Sequence, residues 1–284
     1  MTATTSPYTR PPMTVRRRPP RDGLFEERWP EKLPRIAHMA QGRRQRVSHA
    51  VMRRLGGWGL EAALSQEVWD FRVRRVSQWV RDFAGDPSDL RVLDLGAHKG
   101  AHSIALAGLG AEVVAIEGRR AHVEKARASQ EEIGLPNLTV IHDDVRTAVG
   151  GQGTFDVVLC LGVLYHLPAV DACELLRSIA SITRGLAIVE TQVSLKAKRS
   201  VDYEGETYWG IDYPEDTRLP GASIGNETSF WLTKPSLLNL LTHVGFTSVA
   251  EGLVPTMTSL AASGITLPCW HERRDRLNSS RGRQ

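Results

Sequence analysis

The stretch of residues 91–102, RVLDLGAHKGAH, constrains the fold of this chain more than any other. Its apolar first half predicts a short buried strand, Gly96 predicts a turn, and the apolar spacing from Gly100 to Leu109 predicts a helix. Glycine lets the backbone approach a ligand closely, and the first turn of a helix offers unpaired N–H groups. The stretch therefore predicts a site for a nucleotide-like cofactor.

The acidic residue inside this stretch distinguishes between two kinds of cofactor. A dinucleotide carries phosphates, which the carboxylate of Asp94 would repel, whereas S-adenosylmethionine carries an ammonium and a sulfonium group. The stretch resembles motif I of the class I S-adenosylmethionine-dependent methyltransferases, in which an acid precedes a Gly-x-Gly-x-Gly loop; here His98 replaces the middle glycine. The resemblance implies that S-adenosylmethionine is the cofactor. The cofactor-binding residues that it implies here are Asp94, Gly96, Ala97, His98 and Gly100.

Acidic residues also follow the next two predicted strands. Glu117 ends the strand predicted at 112–117, where a carboxylate can accept both ribose hydroxyls, and Gly118 follows it. After the third predicted strand, the sequence resembles the acidic motif that reads the adenine amino group in this family. That resemblance assigns the amino group to Asp144 and an apolar contact with the base to Val145.

A Leu-Tyr-His turn follows the fourth predicted strand, residues 154–162. The family resemblance implies that the main chain near Leu161 holds the methionine amino group. Open α/β sheets bind ligands outside the carboxyl ends of their strands, so we expect His166, or less favourably Tyr165, to face the transferred methyl group. His166 would then act as a general base. Alternatively, His166 caps the following helix or contacts the methionine part of the cofactor.

Strands and helices alternate through residues 59–270, which we predict to be one S-adenosylmethionine-binding domain. An amphipathic helix of about 25 residues, spanning 60–83, precedes the first strand. Segments 246–249 and 264–270 can pair as closing antiparallel strands. The expected fold is α/β, a doubly wound, seven-stranded and mostly parallel sheet of the Rossmann-like methyltransferase type.

Residues 191–232 interrupt this alternation, and no regular elements are evident in them. Seven acidic residues and one basic residue, Arg218, lie between positions 202 and 227, interleaved with aromatic residues. Aromatic walls with carboxylates suit a cationic or planar small molecule and repel a phosphate backbone. We interpret the segment as a substrate-covering insert; a self-packed surface loop is the alternative. The candidate acceptor contacts are Tyr208, Trp209 and Trp231.

The basic charge of the chain is concentrated at its beginning. Residues 1–54 hold 13 Lys or Arg against four Asp or Glu, whereas the whole chain has a net charge of only +4. We interpret residues 1–58 as a Pro- and Arg-rich arm, partly disordered, and residues 271–284 as a polar tail. The arm either is a solvated tail, which we favour, or binds RNA or another polyanion.

Composition argues for a cytoplasmic protein. No run approaches the roughly 18 apolar residues of a membrane span, and no apolar segment of a signal peptide follows the first arginines. Cys160, Cys173 and Cys269 are scattered without paired spacing, as in a reducing compartment. His98 and His102 have no suitable third ligand nearby, so we expect no metal.

These patterns favour methyl transfer from S-adenosylmethionine to an oxygen or nitrogen of a small molecule. Segments 162–166 and 230–246 also resemble bacterial enzymes related to the wobble-uridine tRNA carboxymethyl transferases. A tRNA-modifying enzyme that docks through the basic arm is therefore the second hypothesis. The third is a cofactor-binding protein without transfer activity. An NAD-binding protein would also use Glu117, but does not explain Asp94 or Asp144. The sequence leaves the oligomeric state open.

Overall fold

The structure is a computed structural model that describes residues 71–218, 221–252 and 263–270, together with the backbone of Val15–Arg16. Three sequence predictions lie wholly or largely outside these residues. They are the basic arm apart from Val15–Arg16, the first part of the long helix predicted at 60–83, and the polar tail at 271–284.

Strands within the described residues form two sheets. The strands are β1 (Val15–Arg16), β2 (Arg91–Leu95), β3 (Glu112–Glu117), β4 (Leu138–His142), β5 (Phe155–Leu161), β6 (Thr183–Val193), β7 (Arg199–Tyr203), β8 (Glu206–Pro214), β9 (Thr228–Leu232), β10 (Ser248–Ala250) and β11 (Ser263–Trp270). The main sheet has the order β1-β10-β11-β6-β5-β2-β3-β4. Strands β2 to β6 run parallel, and β11 is antiparallel to both β6 and β10. Apart from the two-residue β1, this is the predicted seven-stranded sheet, and the antiparallel closing pair is confirmed.

Helices cover both faces of this sheet. They are α1 (71–79, continued by a π-helical turn at Val80–Ala84), α2 (Ala101–Gly108), α3 (Arg120–Ile133), α4 (Val145–Ala148), α5 (Ala169–Ile182) and α6 (Lys234–His243). Thr233 caps α6 by accepting a bond from the N–H of Ser236, and Pro235 lies in its first turn, where its missing N–H is tolerated. The helix predicted from Gly100 to Leu109 is confirmed as α2, within one residue at each end.

The core consists of two apolar layers, one on each face of the main sheet. Central strand β5 has no exposed surface from Val157 to Cys160, because helices cover both of its faces. Trp79 of α1 is fully buried in one layer, and Phe83 stacks on Trp270 with ring centroids 5.5 Å apart. Burial of α1 against the sheet fixes one wall of the space above the strand ends.

The inserted segment contains a three-stranded antiparallel sheet, β7-β8-β9, so the expectation of a segment without regular elements was wrong. Side chains of β8 alternate between its faces: Tyr208 and Gly210 are buried, whereas Trp209 is exposed. In the sequence, the acidic residues and the glycine of these strands interrupt the alternation of apolar and polar residues that would have predicted strands. The insert packs on the turn that follows β5 and on helices α5 and α6.

Candidate functional site

The loop after β2 contains three residues in the left-handed backbone conformation. Gly96, His98 and Gly100 have φ angles of 68°, 54° and 82°. The N–H groups of Gly96 and Ala97 both donate to the carbonyl of Ile116, at 2.9 and 3.0 Å. His98, at the middle position, therefore adopts the left-handed conformation that glycine adopts most easily.

Glu117, at the carboxyl end of β3, ties this loop to the neighbouring strand. Its carboxylate accepts the N–H of His98 at 2.8 Å through Oε2 and the N–H of Arg119 at 2.8 Å through Oε1. The Nδ1 atom of His122 lies 3.5 Å from Oε1. A carboxylate has about four acceptor positions, so these bonds leave capacity for ribose hydroxyls.

The histidine side chains at this loop are neutral at neutral pH. Burial lowers the pKa of His98 to about 4, and burial also lowers the pKa of His122. The two rings contact each other edge to face, with centroids 4.0 Å apart. Neutral rings leave the loop without added positive charge, which suits a cationic ligand.

Asp94 is a buried acid beside a small cavity. Burial, with a smaller contribution from nearby Glu117, raises its pKa to about 7, although Ser103 Oγ donates to Oδ2 at 2.5 Å. The cavity, about 40 Å³, is lined by Asp94, the loop from Gly96 to Lys99, Arg72, His102 and Leu161. A cation placed there would favour the ionised form of the acid.

A buried ion pair between Arg72 and Glu190 stands at one side of this cavity. Nη2 of Arg72, from α1, lies 2.5 and 2.6 Å from the two carboxylate oxygens of Glu190, on β6 beside the end of β5. Burial raises the pKa of Glu190 despite the opposing effect of Arg72. Arg72 thus brings a guanidinium to the same cavity as the Asp94 carboxylate.

Asp144 lies at the end of β4, as predicted, but it has an unpredicted partner. Its side chain caps α4 by accepting the N–H of Arg146 at 2.9 Å, and the Arg146 guanidinium also binds both of its oxygens. These bonds lower the pKa of Asp144. Any further donor, such as an amino group, must share the carboxylate with Arg146. The neighbouring Val145 is buried in the core.

The turn after β5 carries a histidine that is paired with a carboxylate. Nδ1 of His166 lies 3.0 Å from Oε1 of Glu215, whose side chain is only 4% exposed. When the Glu215 carboxylate is ionised it only accepts hydrogen bonds, so Nδ1 of His166 is then the donor, and in the neutral ring Nε2 carries the lone pair. The N-cap of α5 is Pro168 and has no side-chain bond, which excludes the alternative that His166 caps this helix.

Tyr165, beside His166, is a poorer candidate for a base. Burial raises the pKa of its phenol to about 12, so the group stays protonated near neutral pH. Its ring centroid lies 4.2 Å from that of His166, and its carbonyl accepts the indole N–H of Trp231 at 2.9 Å. Tyr165 therefore joins the turn to the inserted sheet.

The inserted sheet presents an aromatic face beside this turn. Trp231 stacks on Tyr213 with centroids 4.1 Å apart, and Trp209, on the Tyr213 side of β8, is 47% exposed. The prediction that Tyr208 contacts the acceptor is corrected: it is 1% exposed and faces the opposite way, with its hydroxyl bonded to His243. Alternation along β8 separates Tyr208 from Trp209.

Residues 68–251 match the model of a protein family described as a methyltransferase domain. The chain belongs to this methyltransferase family. The match covers more than half of the chain and includes the loop after β2, Glu117, Asp144, His166 and the inserted sheet. The resemblance of the cofactor motifs to class I methyltransferases is confirmed at the level of the family.

Curated methyltransferases match the chain over part of its length. The O-antigen chain terminator bifunctional methyltransferase/kinase WbdD of Escherichia coli is 31% identical over 135 residues, which are 45% of this chain and 18% of that protein. The ubiquinone biosynthesis O-methyltransferase of Xanthomonas axonopodis pv. citri is 33% identical over 99 residues, 35% of this chain and 41% of that protein. The chain therefore spans less than half the length of these relatives.

Solved methyltransferase structures share the fold. The N-terminal domain of EvdMO1, in the presence of SAH and D-fucose, matches with a TM-score of 0.60 and 26% identity, over 71% of this chain and 83% of that one. The magnesium protoporphyrin IX methyltransferase ChlM of Synechocystis PCC 6803, with bound SAM, matches with a TM-score of 0.54 and 20% identity, over 85% and 92% of the two chains. The second match bears on the fold alone.

Three residues of this candidate site were missed in the sequence. Glu190 follows the same rule as Glu117, an acid near the carboxyl end of a parallel strand, and could have been found by applying that rule to the fifth strand. Arg72 and Glu215 carry no such local signal, because tertiary contacts alone bring them to Glu190 and His166. In the part of the chain that the structure describes, no helix combines the length and apolar character needed to cross a bilayer.

Proposed function

We propose that this protein transfers a methyl group from S-adenosylmethionine to an oxygen or nitrogen of a small molecule, with His166 as the general base. The observation that supports this proposal most directly is the His166–Glu215 pair in the turn after β5. Strand β5 pairs directly with β2, which carries the glycine loop. A base and a cofactor loop on adjacent strands meet the requirement that acceptor and methyl donor be held side by side.

The residues around the loop fit this cofactor. Asp94 matches the ammonium group, Arg72 is the guanidinium on the same cavity and matches the methionine carboxylate, and Glu117 matches the ribose hydroxyls. Asp144 and the apolar Val145 follow the next strand, β4, and we assign the adenine to this position. When bound, S-adenosylmethionine supplies a methyl carbon made electrophilic by its positively charged sulfur.

The His166–Glu215 pair is suited to removing a proton from the acceptor. As an acceptor hydroxyl or ammonium loses its proton, Nε2 of His166 receives it, and the ring becomes a cation. The carboxylate of Glu215 stabilises this cation and fixes the ring through Nδ1. The side chain of His166 is 23% exposed, so the proton can then leave to water.

The acceptor that fits the aromatic face is a small, ring-shaped molecule with a hydroxyl or amino group. Trp209, Tyr213 and Trp231 provide the flat apolar surface, and the acids of the insert bind donors and repel phosphates. Oxygen is the favoured acceptor atom because the matched relatives include O-methyltransferases, and D-fucose was present with the EvdMO1 domain. This acidic surface is also the reason to place tRNA second.

A cytoplasmic location is consistent with the state of the cysteines. Cys160, Cys173 and Cys269 are buried free thiols, and burial raises the pKa of each of them. Buried thiols with high pKa values are unreactive, so they suit a reducing compartment but play no part in the proposed chemistry.

The test begins with mass spectrometry of the ligand retained on the purified full-length protein, and with calorimetry using S-adenosylmethionine and its demethylated product. We expect low-micromolar affinity or tighter. A methylation screen over hydroxylated aromatic compounds and sugars, with tRNA as a separate arm, then identifies the acceptor. If the protein binds neither S-adenosylmethionine nor its demethylated product, the proposal is overturned.

The role of His166 is tested with the variant His166→Gln, once an acceptor is known. We expect turnover to fall roughly 10²- to 10⁴-fold with nearly unchanged cofactor affinity, because the base is lost but the loop is not. Full turnover in this variant would exclude proton transfer by His166. The alignment of the acceptor with the methyl group would then account for the rate of transfer.

A further inference from the structure

Residues 221–226, which we call the cover segment, lie across the carboxyl edge of the main sheet. At one side, the guanidinium of Arg119, just after β3, donates to the carbonyl of Ala222. At the other side, the amide of Asn226 donates to the carbonyl of His166, just after β5, at 3.1 Å. Strand β2 lies between β3 and β5, so the segment passes over the end of the strand that carries the cofactor loop.

Ile224 places an aliphatic side chain above the residue that follows Glu117. Its Cδ1 atom lies so close to Gly118 that a Cβ on this glycine would be only 2.8 Å away. The same Cβ would lie 3.7 Å from the carbonyl oxygen of Asp143, so the space beside Gly118 borders both Ile224 and the residue that follows β4. Ile224 is nevertheless 46% exposed. A half-exposed apolar side chain beside Gly118, near two strand ends that carry acids, suits the flat face of a nucleobase.

Glu215 connects this segment to the base. Its Oε2 accepts the N–H of Ser223 at 3.2 Å, while its Oε1 lies 3.0 Å from Nδ1 of His166. Its own N–H donates to the carbonyl of Glu227 at 2.8 Å. The carboxylate that fixes the ring of His166 is thus itself held by the cover segment.

We propose that Ile224 packs against the adenine ring of the cofactor and that Glu215 is a positioning residue for His166. The inserted sheet would then serve the cofactor and the base through one segment. This inference rests on the proposed function, because it assumes an adenosine at the ends of β3 and β4 and a proton transfer at His166.

The first test measures the affinity for S-adenosylhomocysteine by calorimetry. Ile224→Ala is expected to weaken binding roughly 5- to 30-fold, because it removes about three buried methyl or methylene groups. Ile224→Leu, which conserves the volume, should stay within about threefold of wild type. The matched control is Leu195→Ala, which truncates an aliphatic side chain that is 87% exposed, and we expect no change. Equal affinity of Ile224→Ala and wild type would overturn the adenine contact.

The second test separates positioning from folding. Glu215→Gln is expected to lower kcat roughly 10²- to 10⁴-fold while the S-adenosylhomocysteine affinity and the acceptor KM stay within a few-fold, because the charge that stabilises the ring cation is removed. Glu215→Asp should recover part of kcat, and Glu132→Gln, at an exposed position of α3 away from the insert, should behave as wild type. Parallel losses of kcat and cofactor affinity in Glu215→Gln would show a structural role and contradict positioning.

The two levels of the proposal fail in different ways. If wild-type protein binds neither S-adenosylmethionine nor S-adenosylhomocysteine, the proposed function fails and this inference fails with it. If wild-type protein binds and transfers normally while Ile224→Ala and Glu215→Gln do the same, the proposed function stands and only this inference is overturned.

Discussion

Asp94 is an acid whose burial opposes folding whenever the carboxyl group is ionised. Its pKa of about 7 in the folded protein lies above the roughly 4 expected when unfolded. The stability associated with its protonated form is therefore complete below about pH 4 and is lost as pH rises through 7. The neutral isostere Asn does not titrate and avoids this loss.

We accordingly compare the free energy of unfolding of Asp94→Asn with that of wild type at two pH values. The difference in favour of the variant should be about 1–3 kcal/mol larger at pH 8 than at pH 4. Urea unfolding at the two pH values measures this difference. The same variant should bind S-adenosylmethionine more weakly, because a neutral amide cannot pair with the ammonium group. An identical stability change at both pH values would show that ionisation of Asp94 is not the cause.

Glu117 offers the sharpest single-residue test of the cofactor site. Glu117→Gln keeps an acceptor for the loop N–H groups but removes the charge, and we expect a loss of roughly 1.5–3 kcal/mol, or about 10- to 150-fold in affinity for S-adenosylhomocysteine. Glu112→Gln is the matched control, because Glu112 lies at the exposed opposite end of the same strand. Calorimetry that shows unchanged affinity for Glu117→Gln would refute the ribose assignment.

At the scale of elements, the buried ion pair between Arg72 of α1 and Glu190 of β6 makes the packing of α1 on the sheet depend on one buried charge. Removing one partner of such a pair leaves the other charge buried and uncompensated, which costs about 3–5 kcal/mol. We therefore expect Arg72→Ala to unfold at clearly lower urea concentration, and the double variant Arg72→Met with Glu190→Leu to recover most of the loss. A double variant no more stable than Arg72→Ala would contradict this account.

The parallel strands were predictable from the sequence, whereas the inserted strands were not. A central strand such as β5 is buried on both faces, so it reads as a continuous apolar run. Strand β8 instead alternates between a buried face and an exposed aromatic face, and a shift of one residue exchanges them. That is why Tyr208 and Trp209 were assigned the same role from the sequence, although the sheet places them on opposite faces.

The positions of the candidate cofactor residues were predictable for the same reason that the parallel strands were. Asp94, Glu117 and Asp144 each follow or end an apolar run, so local sequence fixes their position at the edge of the sheet. Their partners depend on the folded structure: Ser103 beside Asp94 and the bidentate contact of Arg146 are not visible in a motif. Sequence thus indicated where the site lies, and tertiary contacts decide how each acid is paired.

At the scale of the whole molecule, charge divides the chain into a basic beginning and an acidic remainder. Residues 1–54 carry a formal charge of +9, against −5 for the other residues. If residues 1–23 merely solvate the protein, their deletion should leave cofactor affinity unchanged, with at most a small loss of stability from removal of β1. Binding of tRNA should then be negligible before and after deletion.

The contrary result would identify the arm as a docking element. In that case the full-length protein binds tRNA, log affinity falls steeply with log salt concentration, and truncation removes the effect. Fluorescence anisotropy with labelled tRNA at several salt concentrations measures the slope. A steep slope that disappears on truncation would refute the small-molecule acceptor and favour the tRNA-modifying alternative.

The path of the cover segment over the end of β2 also bears on how the protein behaves in a cell. On the proposed placement of the adenosine beneath Ile224, the demethylated product would leave only after the hydrogen bonds from the cover segment to Arg119 and His166 have opened. Product release would then be slow at the end of each catalytic cycle. We expect the enzyme to be sensitive to accumulation of that by-product. Its working rate would then follow the capacity of the cell to clear S-adenosylhomocysteine as closely as it follows the supply of acceptor.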